Sequence, residues 1–178
     1  MKKNVKDIQI NKKVMNKARL KNFFLNFIIL ITIFLIDRIS KFYILKLAEI
    51  ESSLDIYVTS YLNLFLIWNK GIAFGLFSVN ESIIYNTISF LISIIVIVIL
   101  FMIWRNNNIQ QYFLALVAGG ALGNLYDRII YMAVPDFIDL HFHEFHWFIF
   151  NVADIFITVG VFCLILVEFF YNDKITNE

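Results

Sequence analysis

Two carboxylates eighteen positions apart, Asp136 and Asp154, are the residues of this chain best suited to chemistry. Asp154 lies inside the apolar run Phe148 to Phe170, and Asp136 lies in the segment just before it. A carboxylate near a bilayer is costly to keep and marks a functional site by default. In a low-dielectric site two neighbouring carboxyl groups cannot both ionise cheaply, so one holds a proton while the other is charged. The charged member can take a proton from water, and the protonated member can supply one to a carbonyl oxygen or a leaving amine. That pairing hydrolyses amides without a Ser or Cys nucleophile. The bland alternative makes Asp136 a loop acid and Asp154 an ion-pair partner of Arg128, and spacing does not choose between the two.

The polar residues nearby divide in the same way. Asn151 is three positions before Asp154 and shares its helix face, where it could orient a carboxylate or serve as interhelical glue. Gly119, Gly120 and Gly123 strip one helix face of bulk, which allows close helix packing and brings Asn124 and Arg128 near facing helices. Asp127 beside Arg128 reads as a charge-compensated pair. Asp37 and Lys41, at i and i+4, can pair locally or hold an outer loop or substrate backbone. Asn69-Lys-Gly-Ile-Ala-Phe-Gly75 reads as a turn. His141, His143 and His146, with Glu144 among them, invite a metal reading, but no HExxH motif is present and amphipathic His suits an interfacial loop. No metal and no cofactor is expected.

The elements that must place these residues are membrane spans. Of the 178 residues 60% are hydrophobic, with 20 Phe and a mean hydropathy of +0.75, a composition of integral membrane proteins. A span needs about 20 apolar residues to cross roughly 30 Å of hydrocarbon. Four stretches qualify: about Phe23 to Tyr43, Ile83 to Trp104, Tyr112 to Tyr131 and Trp147 to Phe170. The start of the chain leads into Asp37-Arg-Ile-Ser-Lys41 with no small-x-small cleavage site, so a retained first span is expected rather than a signal peptide. The single Cys163 forms no intrachain disulfide and reads as a small buried apolar residue.

Residues 1–21 carry eight Lys and Arg against one acid, Asp7, which keeps that end in the cytoplasm. The expected fold is therefore an all-α integral membrane protein with four transmembrane helices, N-in and C-in. Residues 1–21 form a basic cytoplasmic segment, 22–172 the membrane domain with outer loops at about 44–82 and 132–146, and 173–178 a cytoplasmic tail. The aromatic, β-branched stretch Tyr57 to Trp68 predicts a small extracytoplasmic β element after the first helix. In this topology Asp37 and Lys41 close the first helix on the outer side. Asp154, counted from Trp147 at about 1.5 Å per residue, lies roughly 10 Å below the entry of the fourth helix. All the unusual polar groups gather at the outer leaflet.

These segments resemble the lipoprotein signal peptidase family, also called signal peptidase II. Gly119-Gly-Ala-Leu-Gly-Asn-Leu-Tyr-Asp-Arg128 is similar to the family's GGAxGNxxDR signature. Beside it stand Asp37-x-x-Ser-Lys41, Asn69-x-Gly-x-Ala-Phe-Gly75, Val134-x-Asp-Phe137 and Phe150-Asn-Val-Ala-Asp154, in the family's order. The resemblance implies an aspartyl endopeptidase of the bacterial inner membrane, multi-pass, with its active site at the outer face. It implies substrates that are prolipoproteins, cut before a diacylglyceryl-modified cysteine. By position Asp136 and Asp154 match the catalytic dyad. Asp37, Lys41, Asn69, Gly120, Asn124, Arg128 and Asn151 match residues that support the dyad or hold substrate, and Asp127 matches a structural position. Arg38 stands where glutamine is common, Ile72 where a small residue is usual, and Pro135 directly precedes Asp136. A monomer among membrane lipid is expected, with no nucleic-acid partner.

Two rival classes make different predictions. A small proton-coupled transporter or channel subunit needs acids spread across the bilayer depth. A structural subunit predicts that acid-to-amide changes weaken assembly and leave no catalytic phenotype.

Overall fold

A computed structural model describes residues 5–51, 54–71, 81–143 and 145–176, in the order α1 (Val5–Glu51), β1 (Asp55–Thr59), β2 (Leu62–Asn69), α2 (Glu81–Arg105), α3 (Gln110–Tyr131), β3 (Val134–Phe142), β4 (Phe145–Phe150) and α4 (Val152–Thr176). Each of the four helices holds a stretch long and apolar enough to cross a membrane: Arg19–Glu51, Tyr85–Arg105, Gln110–Tyr131 and Val152–Phe170. Their outward faces are apolar, with Phe90, Ile97 and Phe162 all exposed. Apolar surface on that scale is the mark of a lipid-facing wall.

Helix α3 is the hub, packed against α1, α2 and α4. That position explains why its span is the least apolar of the four. A helix enclosed by three others meets protein rather than lipid, so Gly, Asn and Asp are tolerated on it. Its glycines set the spacing. A Cβ at Gly119 would lie 2.9 Å from the Leu30 carbonyl oxygen, and one at Gly123 would lie 2.5 Å from Asp37 Oδ2. On the opposite side a Cβ at Gly120 would lie 2.5 Å from the Ala153 carbonyl oxygen. Close backbone approach on both flanks therefore requires glycine, as in small-residue packing of membrane helices.

The strands form one antiparallel sheet in the order β1-β2-β3-β4. The expected β element after α1 is its first half. Its second half, β3 and β4, occupies the segment expected to be a loop at about 132–146, and β4 includes Trp147 to Phe150, which were expected to be helical. The four apolar helices and a β element stand as expected, and the sheet is twice the expected extent. Aromatic residues at 145–150 fit a strand and an apolar helix equally well, and pairing with β3 decides for the strand. The sheet rests on an extension of α1. Ile44, Leu54 and Phe137 form a buried cluster with Leu47, Ala48, Ile56, Leu64 and Val152 around it. Helix α1 thus runs ten residues past Lys41 instead of closing there.

Candidate functional site

Helix α4 begins with a reciprocal cap. Asp154 N donates to Asn151 Oδ1 at 3.2 Å, and Asn151 N donates to Asp154 Oδ2 at 3.1 Å. This is the capping-box arrangement built from Asn and Asp, and it satisfies two of the orphan donors at the helix start. It also corrects the depth of Asp154, which sits in the first turn of α4 rather than two turns in. A third donor, Ala153 N, bonds Asp37 Oδ1 at 3.0 Å, so a buried carboxylate on α1 anchors the same helix end. Asp37 therefore holds α4 and does not close α1.

Asn151 reaches further. Its Nδ2 donates to Asp136 Oδ1 at 2.6 Å, which ties both acids to one residue. Asp136 Oδ2 accepts from Asn69 Nδ2 at 2.8 Å, and Asn69 Oδ1 accepts from Gly71 N at 2.7 Å. Gly71 has φ +77, the left-handed region that this Asn-x-Gly turn needs. On the other side Asn124 Nδ2 donates to Asp154 Oδ1 at 2.8 Å, and Lys41 Nζ donates to Asn124 Oδ1 at 2.8 Å. A continuous hydrogen-bonded chain thus runs from Lys41 through Asn124, Asp154, Asn151, Asp136 and Asn69 to the Gly71 amide. Three helices and two strands contribute to it.

Each acid accepts two N–H donors, so all four carboxylate oxygens are positioned. Asp136 is buried, and Asp154 is partly open. Burial raises the Asp136 carboxyl above its ordinary range; the Asn151 and Asn69 bonds pull it down, the nearby Asp154 charge pushes it up, and Lys41 opposes that push.

Beneath this chain lies an ion network. Lys41 Nζ meets Asp127 Oδ2 at 2.6 Å and Asp37 Oδ1 at 3.0 Å, with its side chain 1% exposed. Arg38 bridges Asp37 at 2.7 Å and Asp127 at 2.5 Å and donates to the Gly123 carbonyl at 3.2 Å. Its guanidinium lies 4.7 Å from the Tyr126 ring centroid, a cation–π distance. Asp127 takes its charge compensation from α1, which corrects the expected pairing with Arg128. Arg38 is the residue that sequence reasoning undervalued. Its signal was a cation directly between Asp37 and Lys41 in an apolar helix, where an unpartnered charge is untenable.

The alternative partner for Asp154 also fails. Arg128 Nη1 donates to the Asn124 carbonyl at 3.3 Å, and among the described residues it bonds neither acid. Its Nη2 lies 3.9 Å from where a Cβ of Gly71 would stand, at the edge of the turn that holds Asn69. Gly120 supports the site through contact alone, by letting α3 pass against the Ala153 carbonyl one residue from Asp154. Residues 72–75 of the Asn69–Gly75 motif, including Ile72, lie outside the described residues. A cleft of about 580 Å³ opens between α1 and α3, lined by Arg38, Lys41, Phe42, Tyr126 and Tyr131 among others; neither acid lines it.

The sequence profile of the family described as Signal peptidase (SPase) II matches residues 29–170. The chain belongs to the signal peptidase II family. The chain is 69% identical to the lipoprotein signal peptidase of Pelagibacter ubique (strain HTCC1062), over 92% of this chain and 99% of the relative. It is 43% identical to the lipoprotein signal peptidase of Anaplasma phagocytophilum (strain HZ), over 79% of this chain and 89% of that one. Two solved bacterial membrane enzymes share the fold. One, at 25% identity, has a TM-score of 0.66 and covers 86% of this chain and 92% of its own. The other, at 27% identity, has a TM-score of 0.64 and covers 82% and 92%. This signal peptidase II family member is thus a multi-pass membrane protein in which Asn69, Asn124 and Asn151 hold one pair of acids.

Proposed function

We propose that the chain is a membrane aspartyl endopeptidase that removes signal peptides from prolipoproteins, cutting before the diacylglyceryl-modified cysteine. The observation that carries the reading is that Asn151 bonds both Asp136 and Asp154, which makes one functional unit of two acids on different elements. Membership of the signal peptidase II family supports the substrate class.

In this reading Asp136 holds the shared proton at rest, because burial favours its neutral form. Asp154, partly open and fixed by two N–H donors, is the base. It takes a proton from water as the oxygen attacks the scissile carbonyl carbon. Asp136 then gives its proton to the departing cysteine nitrogen as the C–N bond breaks, and the proton gained by Asp154 restores the pair. Asn69, Asn124 and Asn151 hold both carboxylates in place throughout, which is the positioning on which acid–base catalysis depends. The chemistry needs no cofactor.

The basic segment 1–21 supports a cytoplasmic N-terminus, and four spans then return the C-terminus to the same side. The sheet and the acids then face the outside of the inner membrane, at the depth where the lipid anchor of a substrate ends. The enzyme acts as a monomer among membrane lipid. Incubation with a diacylglyceryl-modified precursor and its unlipidated twin tests the proposal. Cleavage of the lipidated form alone is expected; cleavage of neither form by the active protein would defeat it.

A further inference from the structure

On the β3–β4 hairpin a second polar cluster stands apart from the acid pair. Strand β3 is regular across Asp136 to His141, so Asp139 and His141 share one face while Asp136 turns to the other. His146 is the cross-strand partner of His141, and the register shift between the strands falls beside this pair. His146 Nδ1 lies 2.9 and 3.0 Å from the two oxygens of Asp139, and His141 Nδ1 lies 3.7 Å from Oδ2. The two imidazole rings stack with centroids 5.2 Å apart. One donor atom from each of the three side chains falls within 4.8 Å of the others.

Two features of this cluster ask for a ligand. Asp139 is 3% exposed, and among the described residues its ion partners are the two imidazoles, with no Lys or Arg. A buried carboxylate needs charge compensation. His141 Nδ1 is itself buried and has no hydrogen-bond partner among the described residues. A single cation between the three side chains satisfies both.

The geometry points to a binding site for one divalent transition-metal ion of the Zn²⁺ class, held by Asp139, His141 and His146. Two nitrogens and one carboxylate oxygen suit Zn²⁺, Co²⁺, Ni²⁺ or Cu²⁺, whereas Ca²⁺ and Mg²⁺ demand oxygen ligands. Zinc bound at about 2.0–2.2 Å in a tetrahedron needs donor separations of roughly 3.4 Å, so the Asp139–His146 contact of 2.9 Å opens slightly and the Asp139–His141 contact of 3.7 Å closes slightly around it. Water completes the fourth position. The ion pins β4 to β3 at the hairpin end, away from Asp136, and the site owes nothing to the peptidase reading.

The test uses full-length protein in detergent, free of any purification tag and stripped with a chelator, titrated with Zn²⁺ against a chromophoric competitor. One equivalent is expected to bind. His146→Gln, at an exposed position, and His141→Gln are each expected to weaken binding by at least about tenfold. His143→Gln, in the turn outside the trio, is expected to bind as wild type does. Co²⁺ in the wild type is expected to give the intense visible absorption of tetrahedral coordination, lost in His146→Gln. Absence of stoichiometric binding, or equal binding by wild type and both trio variants, overturns the assignment.

Discussion

Asn151 and Asp154 exchange two hydrogen bonds across the first turn of α4, and the amide of the same Asn151 bonds Asp136. The helix cap and the clamp on the acid pair are therefore one structure. Asn151→Ala is expected to lose the side-chain half of the cap and the bond to Asp136 together, while the main-chain N–H bond to Asp154 Oδ2 remains. The cap alone is worth about 0.5–2 kcal/mol, so the thermal midpoint in detergent falls modestly. Precursor cleavage is expected to fall further than stability does, with kcat reduced more than KM. Equal loss of folded protein and activity would assign Asn151 to folding alone.

Asp136→Asn and Asp154→Asn are each expected to lower cleavage of a lipidated precursor by at least about a hundredfold, the scale of a lost acid or base. Both variants should still insert and elute from size exclusion as wild type does. Turnover retained in either one would remove that acid from the mechanism.

The pH dependence of stability carries a definite sign. The folded-state carboxyl of Asp136 lies above its unfolded value, so the folded protein binds the proton more tightly. Between the ordinary carboxylate range and the raised value, wild-type stability is expected to fall as pH rises, and it levels off above that window. Asp136→Asn should lack this slope. Thermal midpoints of the two proteins across mildly acidic pH measure the difference.

Lys41 is buried with three acceptors, Asn124, Asp127 and Asp37. Lys41→Met leaves buried carboxylates undercompensated and is expected to cost about 3–5 kcal/mol. Adding Asp127→Asn should recover part of that loss. A strictly additive double variant in thermal unfolding would show that the two residues do not interact.

Gly120 faces the Ala153 carbonyl at a distance no Cβ can occupy. Gly120→Ala is expected to destabilise by about 1–3 kcal/mol and to displace α4, and with it Asp154. Thermal unfolding and cleavage should decline together. Unchanged values in both would mean that α3 and α4 have room to spare.

Four spans could be read from the sequence because apolar length is a local property that the bilayer imposes on each helix separately. The two acids stood out because a carboxylate in such a chain is conspicuous, whereas the residues around them were named through the resemblance to the signal peptidase II family. What decided the rest was contact between distant segments. Trp147 to Phe150 became a strand because β3 was there to pair with it, which moved Asp154 up into the first turn of α4. Asp127 found Arg38 and Lys41 across the α1–α3 interface instead of its neighbour Arg128, since successive residues on a helix point away from each other. Asp37, which looked like a helix end, became the anchor of another helix. Sequence names the polar groups a membrane protein must compensate; only packing decides which of them compensate one another.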